Sequence, residues 1–331
     1  MVGSPSEPIW KRALETYTKM FVLWVVLGGI AAYLWPGPFK FAGNLQIAGH
    51  VPVRNLFFSI TMFGIGMALT PADFRRILAN PHLIVIGTAT QFLIMPFGSY
   101  LVARAFGLGP EHAAGLIIAG AAPDAMAGNA ISYIAGADTA LNISLTLVST
   151  LLCPVLTPAL TKALAGAILP VNAMLMLIEL AYMVVLPLLV GFLLRRALSG
   201  LVMRIQVVFS AISVTFIIFI CTVVLAGSVD QIGSGRMPSA GLGILGSCLV
   251  LNCLGLIGGY LVAMAFRMGI AQRRSLAIQV GMQNAALGAS LAKSQFGDQA
   301  ALPGVMFVFV SLITGAMLAA IWQRRVAAKT T

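Results

Sequence analysis

Two polar segments interrupt otherwise apolar runs of this chain, and they hold the side chains best suited to chemistry. The first is Ala122-Pro123-Asp124-Ala125-Met126-Ala127-Gly128-Asn129, and the second is Gln279-Val280-Gly281-Met282-Gln283-Asn284. Asp124 is the most informative residue. A carboxylate at the centre of a bilayer costs about 2.5–3.5 kcal/mol on insertion scales, so it is paired, protonated or functional. Either it caps the second half of a broken helix as a neutral group, or it handles a cation, a proton or a substrate. Gln91, Asn129, Asn142, Thr146, Gln279 and Gln283 add uncharged oxygens within apolar runs. Any one of them alone reads as a helix–helix hydrogen bond. Converging on two breaks and two neighbouring runs, they read as an ion site. Pro removes a helix hydrogen bond and Gly loosens the backbone, so both segments are expected to break their helices. Freed carbonyls at such breaks can hold a cation, and half-helix N-termini favour an anion. Glu179 is the other deep carboxylate, and its role stays open between structure and transport.

The surrounding composition identifies the medium. Charged residues make up 9% of the 331 and apolar ones 60%, with a mean hydropathy of +0.99. A soluble domain carries roughly 25% charged residues. This excludes a soluble domain, a disordered chain, a disulfide scaffold and a secreted enzyme. It leaves an integral membrane protein. Long continuous apolar runs exclude an outer-membrane barrel, whose strands alternate polar with apolar. The net charge of +11 sits in short connections beside these runs, which argues against a nucleic-acid partner. Cys153, Cys221, Cys248 and Cys253 lie in apolar stretches without metal-like spacing and read as packing residues. His50, His82 and His112 are isolated, so no metal cluster is expected. No phosphate loop, triad or metal motif is visible, and nothing reads as an enzyme or as a site for an enzyme cofactor.

A spanning helix needs roughly 20 apolar residues. Ten such runs are expected, at 20–36, 53–70, 83–106, 110–136, 139–161, 171–194, 205–228, 239–266, 272–293 and 303–322. Short connections such as Pro71-Ala72-Asp73 and Asn80-Pro81 join them. Fourteen Lys and Arg residues, from Lys11 to Lys329, fall on one side and six, including Arg236, on the other; both termini are therefore expected in the cytoplasm. Shifting the chain by 160 residues superposes Gly98–Ile118 on Gly258–Ile278 with ten identities in 21 positions. That offset holds five spans, and an odd number inverts the second copy. The fold class expected is all-α, ten transmembrane helices in two five-helix inverted repeats, about 20–161 and 171–322. Spans 4 and 9 are the discontinuous partners. Such repeats characterise secondary transporters, with the substrate near the midplane.

At this point the sequence resembles the bile acid:sodium symporter family. The resemblance rests on Met62-Phe63-Gly64-Ile65-Gly66-Met67-Ala68-Leu69-Thr70 with Pro71-Ala72-Asp73-Phe74, on Gln91-Phe92-Leu93-Ile94-Met95-Pro96, on the span 4 break ending in Asn129, on Ser149-Thr150-Leu151 with Pro154, and on Val280-Gly281-Met282-Gln283-Asn284. It implies a panel subdomain of spans 1, 2, 6 and 7, and a core of spans 3–5 and 8–10 whose helices 4 and 9 cross. It further implies Na+-coupled uptake of an organic anion across a bacterial inner membrane, with membrane lipid around it and no obligatory protein partner. Carried over position by position, one sodium site falls on Gly128, Asn129, Asn142, Thr146 and Gln279. The other falls on Gln91, Gln279, Val280, Met282 and Gln283. Substrate and coupling contacts fall on Pro123, Asp124, Met126, Asn284 and Ser311.

The chain also departs from the pattern. The family commonly has Glu where this chain has Gln279, Ser where it has Gly128, a hydroxyl where it has Asn142, and Gly where it has Asp124. Two readings follow. Asp124 has taken over the charge, preserving Na+ coupling in altered geometry or converting it to H+ coupling. Alternatively Asp124 serves the substrate, and sodium coupling is reduced to one site or lost, leaving a uniporter. Met126, Ser311 and Leu312 replace polar pocket positions of bile-acid-binding members, so a smaller organic acid is as good a candidate as a bile acid. A sensor or an arsenite-type exporter is the rival class, but no cysteine lies in a break.

Overall fold

The computed structural model describes residues 8–47, 51–197, 199–233 and 237–327, and it is helical. His50, Arg236 and Lys329 lie outside the described residues. The helices are α1 (Ile9–Lys19), α2 (Phe21–Leu34), α3 (Pro36–Asn44), α4 (Val53–Ala68), α5 (Pro71–Ala79), α6 (Pro81–Ala105), α7 (Pro110–Ala121) and α8 (Ala127–Ile134). They continue as α9 (Thr139–Ala165), α10 (Ala173–Leu180), α11 (Leu186–Ala197), α12 (Ser199–Gly233), α13 (Met237–Ala265), α14 (Ile270–Gly281), α15 (Ala285–Phe296) and α16 (Asp298–Ala327). A π-helical turn, Ala181–Val185, joins α10 to α11. Pro71 was expected in a plain connection, yet Pro71–Ala79 is helical. Proline suits a first helical position because its missing N–H has no intrahelical partner there.

Among the described residues, five helices are individually long and apolar enough to cross a membrane, and up to seven if each bent helix pair counts as one span. The runs expected as spans 4 and 9 fall short of that length because each is broken into two 8- to 12-residue helices. At the first break, Ala122 precedes proline and is extended at φ −66°, ψ 156°. Proline disfavours helical geometry in its predecessor, so α7 stops there. The second break has no proline. Met282 leaves the helical region at φ −108°, ψ 87°, and the Asn284 side chain starts α15 by accepting from Leu287 N at 3.2 Å.

The chain divides into two compact units, Met1–Thr70 with Glu179–Asp230, and Pro71–Ile178 with Gln231–Thr331. In the first, α4 and α11 touch backbone to backbone, since a Cβ on Gly66 would overlap Leu188 O and one on Gly191 would overlap Phe63 O. Arg195 caps α4 by donating to Met67 O (3.1 Å), Leu69 O (2.8 Å) and Ala68 O. Buried Glu179 accepts from Asn55 Nδ2 at 2.9 Å, and the same amide reaches the Tyr182 hydroxyl at 2.7 Å.

The second unit holds both broken helices among α6, α9, α13 and α16. A turn recurs in it 160 residues apart. Leu108 N donates to Ala103 O (3.0 Å) and Met268 N to Ala263 O (2.9 Å), and the residues Gly107 and Arg267 both take positive φ, 61° and 55°. These bonds satisfy carbonyls left over at the helix C-terminus. Gly115 of α7 rests on the α16 backbone, where a Cβ would overlap Ala300 O. Gly115→Ala is therefore expected to lower stability by about 1–3 kcal/mol, the usual cost of overpacking. Thermal unfolding of the detergent-solubilised protein measures it; an unchanged melting temperature contradicts the close approach.

Candidate functional site

Two interrupted helices meet at their breaks. Asp124 and Gln283 face each other in a single antiparallel bridge. Ala125 N donates to Met282 O at 2.8 Å, and Asn284 N donates to Pro123 O at 2.7 Å. Each break thus satisfies backbone groups that the other has lost. The bridge gathers four helix ends, the C-termini of α7 and α14 and the N-termini of α8 and α15. Further side chains hold the crossing. Thr157 Oγ1 donates to Ala121 O at 2.6 Å, and Asn252 Nδ2 donates to Gly281 O at 2.8 Å.

Beside the bridge lies a first group of oxygens. Thr146 Oγ1, on α9, is 2.6 Å from Asp124 Oδ2, 2.9 Å from Asn142 O and 3.4 Å from Gln279 Oε1. A hydroxyl owns one proton. It can satisfy one of those three acceptors at a time, so the cluster is rich in electron pairs and short of donors. Asn142 Nδ2 donates to Asn129 Oδ1 at 2.8 Å, while Asn142 Oδ1 and Asp124 Oδ1 are buried with no hydrogen-bond partner. Asp124 is 1% exposed. Such a group of acceptors is chemically complementary to a cation or a proton. Gly128 fits the carboxylate closely, since a Cβ there would stand 3.3 Å from Asp124 Oδ1.

The second group is a chain of three carboxamides. Gln279 Nε2 donates to Gln91 Oε1 at 2.9 Å, Gln91 Nε2 approaches Gln283 Oε1 at 3.4 Å and Ala122 O at 3.5 Å, and Gln283 Nε2 donates to Val280 O at 2.8 Å. Gln91, Gln279 and Gln283 are fully buried. Gln279 joins the groups, its amide facing Gln91 and its oxygen facing Thr146.

The structure brings together Gln91, Asp124, Asn129, Asn142, Thr146, Gln279, Val280 and Gln283. Pro123 and Met282 take part through their carbonyls, while the Met282 side chain packs against Ala135, Ile278 and Ala319. Asn284 caps α15. Met126 is 40% exposed and joins none of these hydrogen bonds. The Ser311 hydroxyl donates to Val308 O of its own helix at 3.1 Å and reaches neither group. Glu179 belongs to the separate Asn55–Tyr182 cluster in the other unit. Sequence reasoning missed Asn252, Thr157 and Thr314; a lone Asn in an apolar run was the available signal for the first.

Thr146→Val keeps the volume and removes the hydroxyl that serves Asp124 and Gln279. It is expected to cost about 1–3 kcal/mol through unpartnered buried acceptors, whereas Thr146→Ser keeps most of the stability. Chemical unfolding of both variants without added sodium measures the difference, and equal stabilities would remove Thr146 from the cluster.

Long apolar helices and two broken helices crossing at buried oxygens fit the architecture of a multi-pass membrane transporter. The sequence pattern of the Sodium Bile acid symporter family matches residues 55–235. The chain is 33% identical over 312 residues to the probable sodium/metabolite cotransporter BASS1, chloroplastic, of Arabidopsis thaliana, covering 94% of this chain and 75% of that one. It is 30% identical over 311 residues to the uncharacterized sodium-dependent transporter YocS of Bacillus subtilis (strain 168), covering 94% and 93%. It is 29% identical over 317 residues to the probable sodium/metabolite cotransporter BASS2, chloroplastic, of Oryza sativa subsp. japonica, covering 96% and 73%. The chain belongs to the sodium bile acid symporter family.

Proposed function

We propose that the protein is a sodium-coupled symporter that carries a small organic acid across the inner membrane by alternating access. The observation that carries this reading is the group of acceptors around Thr146, with the Asp124 carboxylate inside it, at the crossing of two broken helices. The coupling ion is bound by Asp124, Asn129, Asn142, Thr146 and Gln279 in one place, and by Gln91, Gln279, Gln283 and the Val280 and Met282 carbonyls in the other. Asp124 supplies the negative charge that the resemblance assigns to position 279. The names of the relatives from Arabidopsis and Bacillus support sodium dependence. The substrate acid docks near Pro123, Met126, Asn284 and Ser311, where the N-termini of α8 and α15 favour an anion. Ten spans in two inverted five-helix repeats and cytoplasmic termini complete the reading, supported by the 160-residue recurrence of the turn at Gly107 and Arg267 and by the Lys and Arg distribution.

Proton coupling is a second reading, favoured by the unpartnered Asp124 Oδ1, which has room for a proton where the first reading puts an ion contact. Uptake into proteoliposomes under imposed gradients separates them. A sodium gradient alone drives uptake in the first reading, and a proton gradient alone in the second.

Two sets of variants test the residues. Asp124→Asn abolishes gradient-driven accumulation while leaving substrate exchange, and Asp124→Gly combined with Gln279→Glu recovers sodium dependence; wild-type accumulation by Asp124→Asn makes Asp124 a structural cap. Gln91→Ala and Gln283→Ala weaken the sodium-dependent rise in melting temperature, since ligand binding stabilises by mass action. An undiminished sodium shift in both variants removes the carboxamide chain from ion binding.

A further inference from the structure

The α14 C-terminus leaves carbonyls without helical partners, and their partners differ in kind. Met282 O accepts a backbone N–H, from Ala125, and Val280 O accepts the Gln283 side-chain amide, itself part of the proposed ion site. Gly281 O, between them, is held by a residue outside that site. Asn252 of α13 is fully buried and donates to it at 2.8 Å. The free oxygen of Asn252 accepts from Thr314 Oγ1 of α16 at 2.6 Å. The same hydroxyl lies 2.8 Å from Val310 O and 3.2 Å from Ser311 O of its own helix, so three acceptors share its one proton and Asn252 Oδ1 is the nearest. The α13 backbone is close enough for this reach because a Cβ on Gly255 would stand 2.9 Å from both Gly281 Cα and Val280 O.

We propose that Asn252 and Thr314 are positioning residues for the coupling ion: together they clamp the Gly281 carbonyl and thereby orient the Val280 and Met282 carbonyls on either side of it. This rests on the sodium-coupled reading above. Val280 and Gly281 end α14 and Met282 leaves the helical region, and their successive peptide planes are linked through two torsions per residue. Fixing the Gly281 carbonyl direction removes most of the freedom of its neighbours. Val280 O is otherwise held by the Gln283 side chain and Met282 O by the Ala125 N–H. Without the clamp, the direction of the peptide planes between those two bonds would have to be ordered in part by the ion, at a cost in affinity. With its proton on the nearest acceptor, Asn252 Oδ1 at 2.6 Å, the Thr314 hydroxyl selects which end of the Asn252 carboxamide faces Gly281 and leaves the amide to donate.

The test uses the full chain in detergent, with sodium titrated against potassium at constant ionic strength and the melting temperature followed. Thr314→Val is expected to raise the sodium concentration for half of the maximal shift about three- to tenfold, the range for losing one ordinary hydrogen bond. Thr314→Ser, which keeps the hydroxyl, stays near the wild type. Asn252→Leu shows a loss at least as large as Thr314→Val. In proteoliposomes the Thr314→Val defect appears in the sodium half-saturation and is overcome at high sodium. The proposal is overturned if Thr314→Val melts earlier without sodium but keeps the wild-type sodium midpoint, which is the behaviour of a purely structural contact. A wild type that sodium does not stabilise more than potassium overturns the sodium-coupled reading itself, and this proposal with it. The two failures are distinguishable because the first leaves the wild-type shift intact.

Discussion

A backbone interrupted at membrane depth has to find its hydrogen-bond partners inside the protein, and most of the second unit is organised by that requirement. Water that would solvate the freed groups of α7, α8, α14 and α15 is absent from the hydrocarbon layer, and each unsatisfied group there costs several kcal/mol. The chain answers by crossing the two breaks, so that Ala125 N and Asn284 N find Met282 O and Pro123 O. Residual carbonyls go to side chains on the helices that flank the crossing, Thr157 on α9 and Asn252 on α13. The close contact at Gly255 serves the same need, since Asn252 reaches Gly281 O only with α13 lying close against the α14 break.

Once the backbone is satisfied, the side chains are left with an imbalance. Around Thr146 the acceptors Asp124 Oδ2, Asn142 O and Gln279 Oε1 compete for one hydroxyl proton, with Asp124 Oδ1 and Asn142 Oδ1 unpartnered nearby. Around Gln91 the balance differs, because each carboxamide brings its own donors and the three close into a chain. The first group has acceptors to spare, whereas the second satisfies its own oxygens, Gln91 Oε1 and Gln283 Oε1 each taking an amide N–H. The two groups share Gln279, whose amide faces one and whose oxygen faces the other.

The broken helices were legible because Pro123 and the Gln279–Asn284 segment are polar or helix-breaking within long apolar runs. The residues forming the two oxygen groups were legible for the same reason. What sequence did not reveal is direction. Ser311 sits in an apolar run like Thr146 does, yet its hydroxyl turns to Val308 O within its own helix. A serine in a helix can always take that local bond, and only packing decides otherwise. Asn252 was overlooked for the converse reason. A single Asn among apolar neighbours carries no spacing signal, and its role depends on a break 29 residues away in sequence. The helix at Pro71–Ala79 was obscured by a proline that reads as a loop residue but starts a helix equally well.

The bridge also brings positions 124 and 279 to one place. Asp124 and Gln283 pair directly, and Thr146 lies within 2.6 Å of Asp124 Oδ2 and 3.4 Å of Gln279 Oε1. Positions 124 and 279 therefore address one hydroxyl from two sides, and a negative charge on either would sit in the same small volume. The neighbouring glycine follows from that choice. With the carboxylate at 124, a side chain at 128 would begin 3.3 Å from Asp124 Oδ1, so the space that a serine would fill is given to the acid. Residues 124, 128 and 279 thus share one volume: a side chain at 128 would press on Asp124 Oδ1, and an acid at 279 beside Asp124 would put two carboxylates on one hydroxyl.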